Sequence, residues 1–125
     1  MPACPCHPAR SYADCCDPLH AGAIAATAEA LMRSRYSAYA LGHRGYLLAT
    51  WHPRTRPAEL ELDAGTRWLG LEVKRHAADG NDSASVEFVA RYRIGGAPVV
   101  RLHEISRFLR EDGRWYYLDG TFPAR

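Results

Sequence analysis

Ala84-Ser85-Val86-Glu87-Phe88-Val89-Ala90-Arg91-Tyr92-Arg93-Ile94, followed by Gly95-Gly96 and a second extended run from Val99 to Arg110, decides the fold. Val86, Phe88, Ala90, Tyr92 and Ile94 recur at every second position, which puts them on one face of a strand. Val100, Leu102 and Phe108 repeat the pattern. Upstream, Thr66–Ala77 places Leu69, Leu71 and Val73 on one face; downstream, Trp115–Asp119 reads as a short aromatic strand. Asp79-Gly80-Asn81-Asp82, Gly95-Gly96 and Glu111-Asp112-Gly113 supply turn residues that tolerate positive φ. Four successive strands on short turns predict an antiparallel meander.

Ahead of the sheet the chain is helical. Thr27 is a candidate N-cap, Ala28 to Leu41 are good helix formers, and Gly42 suits the position after the helix. A shorter helix is expected from His43 to about Trp51, stopped by Pro53. His52 to Gly65 reads as a connector with one helical turn near Ala58–Leu62. Two helices before a sheet must bury their apolar stripe on one of its faces, giving an α+β layer fold.

Two charged residues fall on core-facing positions. Arg35 shares a helical stripe with Ala28, Leu31, Met32, Tyr36 and Tyr39, and Glu104 shares a strand face with Val100, Leu102, Ser106 and Phe108. Removing one partner of a buried pair costs ~3–5 kcal/mol, so a buried Arg35–Glu104 ion pair is the expected arrangement. The competing reading makes both line a pocket, with the guanidinium binding an anion or the carboxylate acting as a base. His52, in Trp51-His52-Pro53, is either a general base or a cap on the preceding helix. Trp68, Trp115 and Tyr117 are core aromatics or a ligand wall. The pocket candidates are thus Arg35, His52, Glu104, Trp68 and Trp115; no catalytic nucleophile is identifiable.

All four cysteines lie in the first sixteen residues, as Cys4-Pro5-Cys6, eight residues, then Cys15-Cys16. Such clustering suits one tetrahedral zinc ion bound by Cys4, Cys6, Cys15 and Cys16; the competing readings are free thiols or disulfides, and adjacent Cys15 and Cys16 do not readily bridge to each other without strain. Four protein ligands leave no open position, so the ion is structural and folds a segment too short to hold itself. His7 and His20 are alternative ligands in the same stretch. Residues 1–22 are expected to be a loop module on this ion, and residues 23–125 a separate domain that stays folded without it.

The chain has 125 residues, 16 basic and 14 acidic, for a net charge of +2. That is one domain's worth of chain with no electrostatic footprint for nucleic acid or an anionic membrane. Arg91-Tyr92-Arg93 alternates its arginines and tyrosine across a strand, so it makes a weak nucleic-acid surface. No run matches the ~18 apolar residues of a membrane span. A basic-then-apolar leader is missing, so the cytoplasm, where thiols stay reduced, is the expected location.

Cys4-Pro5-Cys6-His7-Pro8-Ala9-Arg10-Ser11-Tyr12-Ala13-Asp14-Cys15-Cys16 resembles the SEC-C motif, the zinc module found also at the C-terminus of the SecA ATPase. It departs from the motif at His7-Pro8-Ala9, where Gly-Ser-Gly is usual. Leu31-Met32-Arg33-Ser34-Arg35-Tyr36-Ser37-Ala38-Tyr39, Thr50-Trp51-His52-Pro53, Trp68-Leu69-Gly70-Leu71, Ser106-Arg107-Phe108 and Gly113-Arg114-Trp115-Tyr116-Tyr117-Leu118-Asp119-Gly120 are similar to the YchJ-like bacterial proteins. That resemblance implies a cystatin-like α+β fold of the nuclear-transport-factor-2 type, with a curved four-stranded sheet around helices, and names no reaction. Some members carry a second SEC-C motif; this chain shows one, so no function needing two is expected. The SEC-C resemblance implies a protein-interaction module linked with chaperone or ribosome contact. The alternative is a small-ligand-binding protein or enzyme that uses the concave sheet face. An Arg35 paired with Glu104 in a closed interior favours the former, and an unpaired Arg35 in an open one the latter.

Overall fold

Each of the four period-two segments is a strand in the computed structural model, which describes residues 2–123. The elements run β1 (Ala3–Cys4), β2 (His7–Ser11), a 3-10 turn (Tyr12–Asp14), α1 (Asp17–His20), α2 (Ala28–Leu41) and α3 (Arg44–Ala49). The sheet follows as β3 (Thr66–Ala78), β4 (Ser83–Ile94), β5 (Val100–Glu111) and β6 (Arg114–Thr121). β3 to β6 form an antiparallel meander in sequence order, and β1 and β2 form a separate hairpin. Helices on one face of this sheet make the expected α+β layers. Among the described residues no helix is long and apolar enough to cross a membrane.

Local chemistry sets the helix limits. The Thr27 hydroxyl accepts from the Ala30 amide at 3.0 Å, satisfying one free N–H of the first turn of α2. Gly42 ends it at φ +78°, a conformation that favours glycine. α3 is shorter than expected. After Ala49 the chain turns into the sheet: the His52 amide donates to the Tyr117 carbonyl at 2.7 Å, and the Tyr117 amide to the Thr50 carbonyl at 2.8 Å. Trp51 thereby makes a parallel bridge to Tyr117, and β6 competes with helix continuation for the same backbone groups.

Three further expectations are corrected. Ala58–Leu62 carries no helical turn; five residues make few of the hydrogen bonds that offset helix nucleation. The N-terminal segment is a hairpin followed by short helical turns, elements too short to show a period in sequence. In β3, Leu69 does not face the core. Trp68 pairs with Tyr92 and Gly70 with Arg91, so Leu69 is an unpaired extra residue in a bulge and is exposed. Trp68 faces inward in its place. Lys74 is a second unpaired residue, between Val73 and Arg75.

The core is one apolar cluster joining Leu31, Met32 and Tyr36 of α2 to Val86, Phe88 and Phe108 of the sheet. Cys4, Cys6 and Cys16 belong to the same cluster, so the N-terminal segment packs on α2. Leu47 of α3 is fully buried. Leu47→Ala is expected to cost about 2–5 kcal/mol and Thr27→Ala about 1 kcal/mol. Urea midpoints of both variants, at unchanged slope, check that order.

Candidate functional site

The β1–β2 hairpin turns Cys4 and Cys6 toward α1, whose first residue follows Cys15-Cys16 directly. The Ser11 hydroxyl accepts from the Asp14 amide at 3.3 Å and holds the turn that brings the second pair round. Sulfur–sulfur separations are 3.6 Å for Cys4–Cys6, 3.5 Å for Cys6–Cys15, 3.7 Å for Cys6–Cys16 and 3.9 Å for Cys15–Cys16. A tetrahedral ion with metal–sulfur bonds of about 2.3 Å sets its ligands about 3.8 Å apart. All four cysteines are free thiols, their sulfurs lie within 4.8 Å of one another, and the group could hold a metal ion. Donor set and spacing both fit.

Neither histidine of this stretch joins the cluster. The Nδ1 of His7 accepts from the Ala9 amide. His20 bridges the Tyr12 hydroxyl at 2.6 Å and the Ser34 carbonyl at 2.8 Å, tying α1 to α2. Cys4 Sγ lies 3.5 Å from the Ser37 hydroxyl, and Arg33 donates to the Cys6 carbonyl. Within the sulfur group, hydrogen bonding from Cys16 and its neighbours pulls the Cys6 thiol down to about 5. Burial and the bond to Cys6 push Cys15 up to about 11, and donation to Cys6 followed by burial raises Cys16.

The second site is a cavity of about 390 Å³ between α2 and the inner sheet face, within the range of small-molecule pockets. Met32, Phe88, Leu102 and Phe108 give it apolar walls; Trp68, Tyr39 and Tyr92 line it toward Thr66 and Ile94. The Leu69 bulge aims Trp68 here, where it packs against Tyr36, Tyr39 and Tyr92. Arg91 and Arg93 are exposed on the opposite face.

Arg35 and Glu104 both line the cavity and are not paired. Arg35 is 5% exposed. Its Nη1 donates to the Leu47 carbonyl at 2.8 Å and the Thr50 hydroxyl at 2.6 Å. Its guanidinium lies 5.1 Å from the Trp51 ring centre and 4.6 Å from that of Tyr117, so two π faces and two neutral oxygens replace the expected carboxylate. Burial pulls its pKa down, and Glu104 is among the groups opposing that. Glu104 Oε2 accepts from Ser106 at 2.7 Å and from the Tyr117 hydroxyl at 3.0 Å. Burial and then the Glu104 carboxylate raise the Tyr117 pKa, keeping it a donor. Tyr117 therefore contacts both charges, which explains why they need no direct contact.

His52 and Trp115 lie outside this cavity. His52 is buried, with Nδ1 accepting from the Arg54 amide at 3.0 Å and Nε2 placed 2.7 Å from Glu111. Trp115 sits under Arg110 and lines a separate depression beside Leu19 and Tyr46. Sequence reasoning missed Tyr117 as the link between the charges, and it missed Gly120. A Cβ at Gly120 would stand 2.2 Å from Glu104 Oε2 and 2.9 Å from its Cγ, so the acid occupies the space that glycine leaves.

A helical layer over a four-stranded meander enclosing a cavity, preceded by a four-cysteine cluster, defines an NTF2-like domain with an N-terminal SEC-C-type module. A family model described as the YchJ middle NTF2-like domain matches residues 27–120, and the chain belongs to the YchJ-like family. It is 63% identical over 118 residues to a UPF0225 protein of Xanthomonas campestris, covering 93% of this chain and 92% of that one. A UPF0225 protein of Bordetella parapertussis is 55% identical over 122 residues, covering 94% and 91%. The solution structure of a SEC-C motif containing protein from Rhodopseudomonas palustris superposes with a TM-score of 0.84 at 38% identity, covering 98% of this chain and 99% of that one. The crystal structure of a SEC-C motif containing protein from Psychrobacter arcticus gives 0.79 at 34% identity, covering 98% and 84%.

Two outcomes follow from this geometry. At neutral pH a metal ion must displace the protons of Cys15 and Cys16, whose pKa values are raised, so its affinity falls as pH falls. Titration with cobalt(II), followed by its thiolate absorption and by calorimetry in two buffers, is expected to show release of at least two protons. Gly120→Ala is expected to push Glu104 off Ser106 and Tyr117 and to cost about 1–3 kcal/mol, read as a lower melting temperature than that of an exposed-glycine control, Gly96→Ala.

Proposed function

We propose that this protein binds a small organic molecule in the cavity between α2 and the sheet, and that a structural zinc ion on Cys4, Cys6, Cys15 and Cys16 holds the N-terminal module on α2. The observation that carries the ligand reading is that Arg35 and Glu104 line the same cavity without contacting each other. A buried charge held by neutral groups and π faces is costly to maintain for packing alone, and a ligand site gives it a use. Zinc is supported by the all-thiolate donor set and the sulfur spacing. Four protein ligands leave that ion no open position, which assigns it stability rather than chemistry. Free thiols at these positions suit a reducing compartment such as the cytoplasm.

A second reading is a protein-interaction module. It is favoured by the exposure of Pro8, Ala9 and Arg10 on the hairpin while three of the four cysteines are buried beneath. The chaperone or ribosome contacts implied by the SEC-C resemblance belong to this reading.

Native mass spectrometry of the protein from cell lysate separates the two. The expected species is the chain with one zinc ion and a bound organic molecule, the latter lost in Ala90→Phe, which fills the cavity from a position 1% exposed. A zinc-loaded chain in stoichiometric complex with another protein, and with no small molecule, would replace the first reading by the second. Cys15→Ser is expected to abolish the zinc adduct and lower the melting temperature while residues 23–125 keep their sheet signal by circular dichroism.

A further inference from the structure

The ligand reading can be taken a step further, because the polar groups of the cavity specify what kind of molecule it takes. Arg35 spends Nη1 on the Leu47 carbonyl and the Thr50 hydroxyl. Its Nε and Nη2 have no hydrogen-bond partner among the described residues. Among the described residues the buried polar atoms both unpartnered and sealed off are Trp51 Nε1 and Trp115 Nε1; the free Arg35 nitrogens are not sealed off in this way, and Arg35 lines the cavity, which fits an Nε/Nη2 edge turned toward that space. Nε–H and one N–H of Nη2 lie along one edge of the planar guanidinium and point the same way. Two parallel donors in that arrangement match the two oxygens of a carboxylate, the bidentate pairing for which arginine is suited and lysine is not.

No carboxylate of the described chain takes this edge. Glu104 is pinned elsewhere, with Oε2 held by Ser106 and Tyr117 and its stem against Gly120. Apart from Thr66 and the Ser106 already bonded to Glu104, the remaining walls are apolar or aromatic, including Met32, Phe88, Leu102 and Trp68. Charge counting narrows the class again. Arg35 and Glu104 balance, so a bound monoanion leaves the cavity with one net negative charge, whereas a phosphate monoester dianion leaves two in a space of low dielectric.

We infer that the cavity takes a flat, apolar ligand bearing a single carboxylate, seated on the Nε/Nη2 edge of Arg35. This rests on the ligand reading, and the test keeps the two apart. Three probes of one ring system are titrated into the zinc-loaded full chain: 2-naphthoate, the neutral 2-naphthylmethanol and 2-naphthyl phosphate. Affinity is read by calorimetry, and position by shifts of the Trp51 and Trp68 indole N–H signals. The expected result is that naphthoate binds about tenfold or more tighter than the alcohol, as a charge-assisted hydrogen-bond pair requires, and tighter than the phosphate. Arg35→Lys, which keeps the charge but loses the fork, is expected to remove most of that advantage, read as the ratio of naphthoate to alcohol affinity within the same variant. Should that variant repack, seen as a lowered melting temperature, the ranking of the three probes on the unsubstituted chain decides alone. Equal binding of naphthoate and alcohol, with indole shifts, overturns the carboxylate and leaves the ligand reading standing; so does a preference for the phosphate. No binding by any probe, or shifts confined to residues outside the cavity, overturns both.

Discussion

The guanidinium of Arg35 is the point on which three elements converge. It projects from α2, donates to the last turn of α3 and lies against Trp51 and Tyr117, the two residues of the parallel bridge that ties the end of α3 to β6. A hydrocarbon at this position could fill the space but could not satisfy the Leu47 carbonyl and the Thr50 hydroxyl together. Helix placement, the bridge into β6 and one wall of the cavity therefore share a single dependence. Because Tyr117 also donates to Glu104, the same arrangement reaches β5 through one hydrogen bond.

The N-terminal module depends on α2 in a comparable way. Helix residues hold it at three places: Ser37 beside Cys4, Arg33 on the Cys6 carbonyl and the Ser34 carbonyl on His20. The helix thus has sulfur on one side and cavity on the other, and Met32 and Tyr36 belong to the shared apolar cluster while lining the cavity. Zinc at the cysteines would contribute to folding through this helix, because metal binding free energy adds to the stability of whatever packs on the site.

Much of this was legible from residue pattern because the strongest signals are local. Period two found all four strands, since a strand with one buried face must alternate. Thr27 and Gly42 marked the ends of α2, since capping chemistry is carried by single residues. The spacing of the cysteines gave the sulfur cluster. Failures occurred where the deciding contact was distant in sequence. Arg35 and Glu104 were correctly assigned to the interior, but nothing local shows that Tyr117 reaches each of them. His52 was read from its neighbours, whereas Glu111, far along the chain, sets its environment. Gly120 drew no reading because the carboxylate filling its missing side-chain space comes from another strand. Leu69 was misassigned because counting by two cannot register an inserted residue.

That bulge bears on how the strand tolerates changes in length. Losing one residue from a regular strand inverts every side chain on one side of the cut. At Leu69 the opposite holds. With Trp68 opposite Tyr92 and Gly70 opposite Arg91, excising Leu69 would leave Arg67 and Gly70 outward, Trp68 and Leu71 inward, and the pairing with β4 continuous. Only the local bend would go. A deletion here is therefore milder for the sheet than one at Leu71, and it trades curvature behind the cavity for a straighter edge.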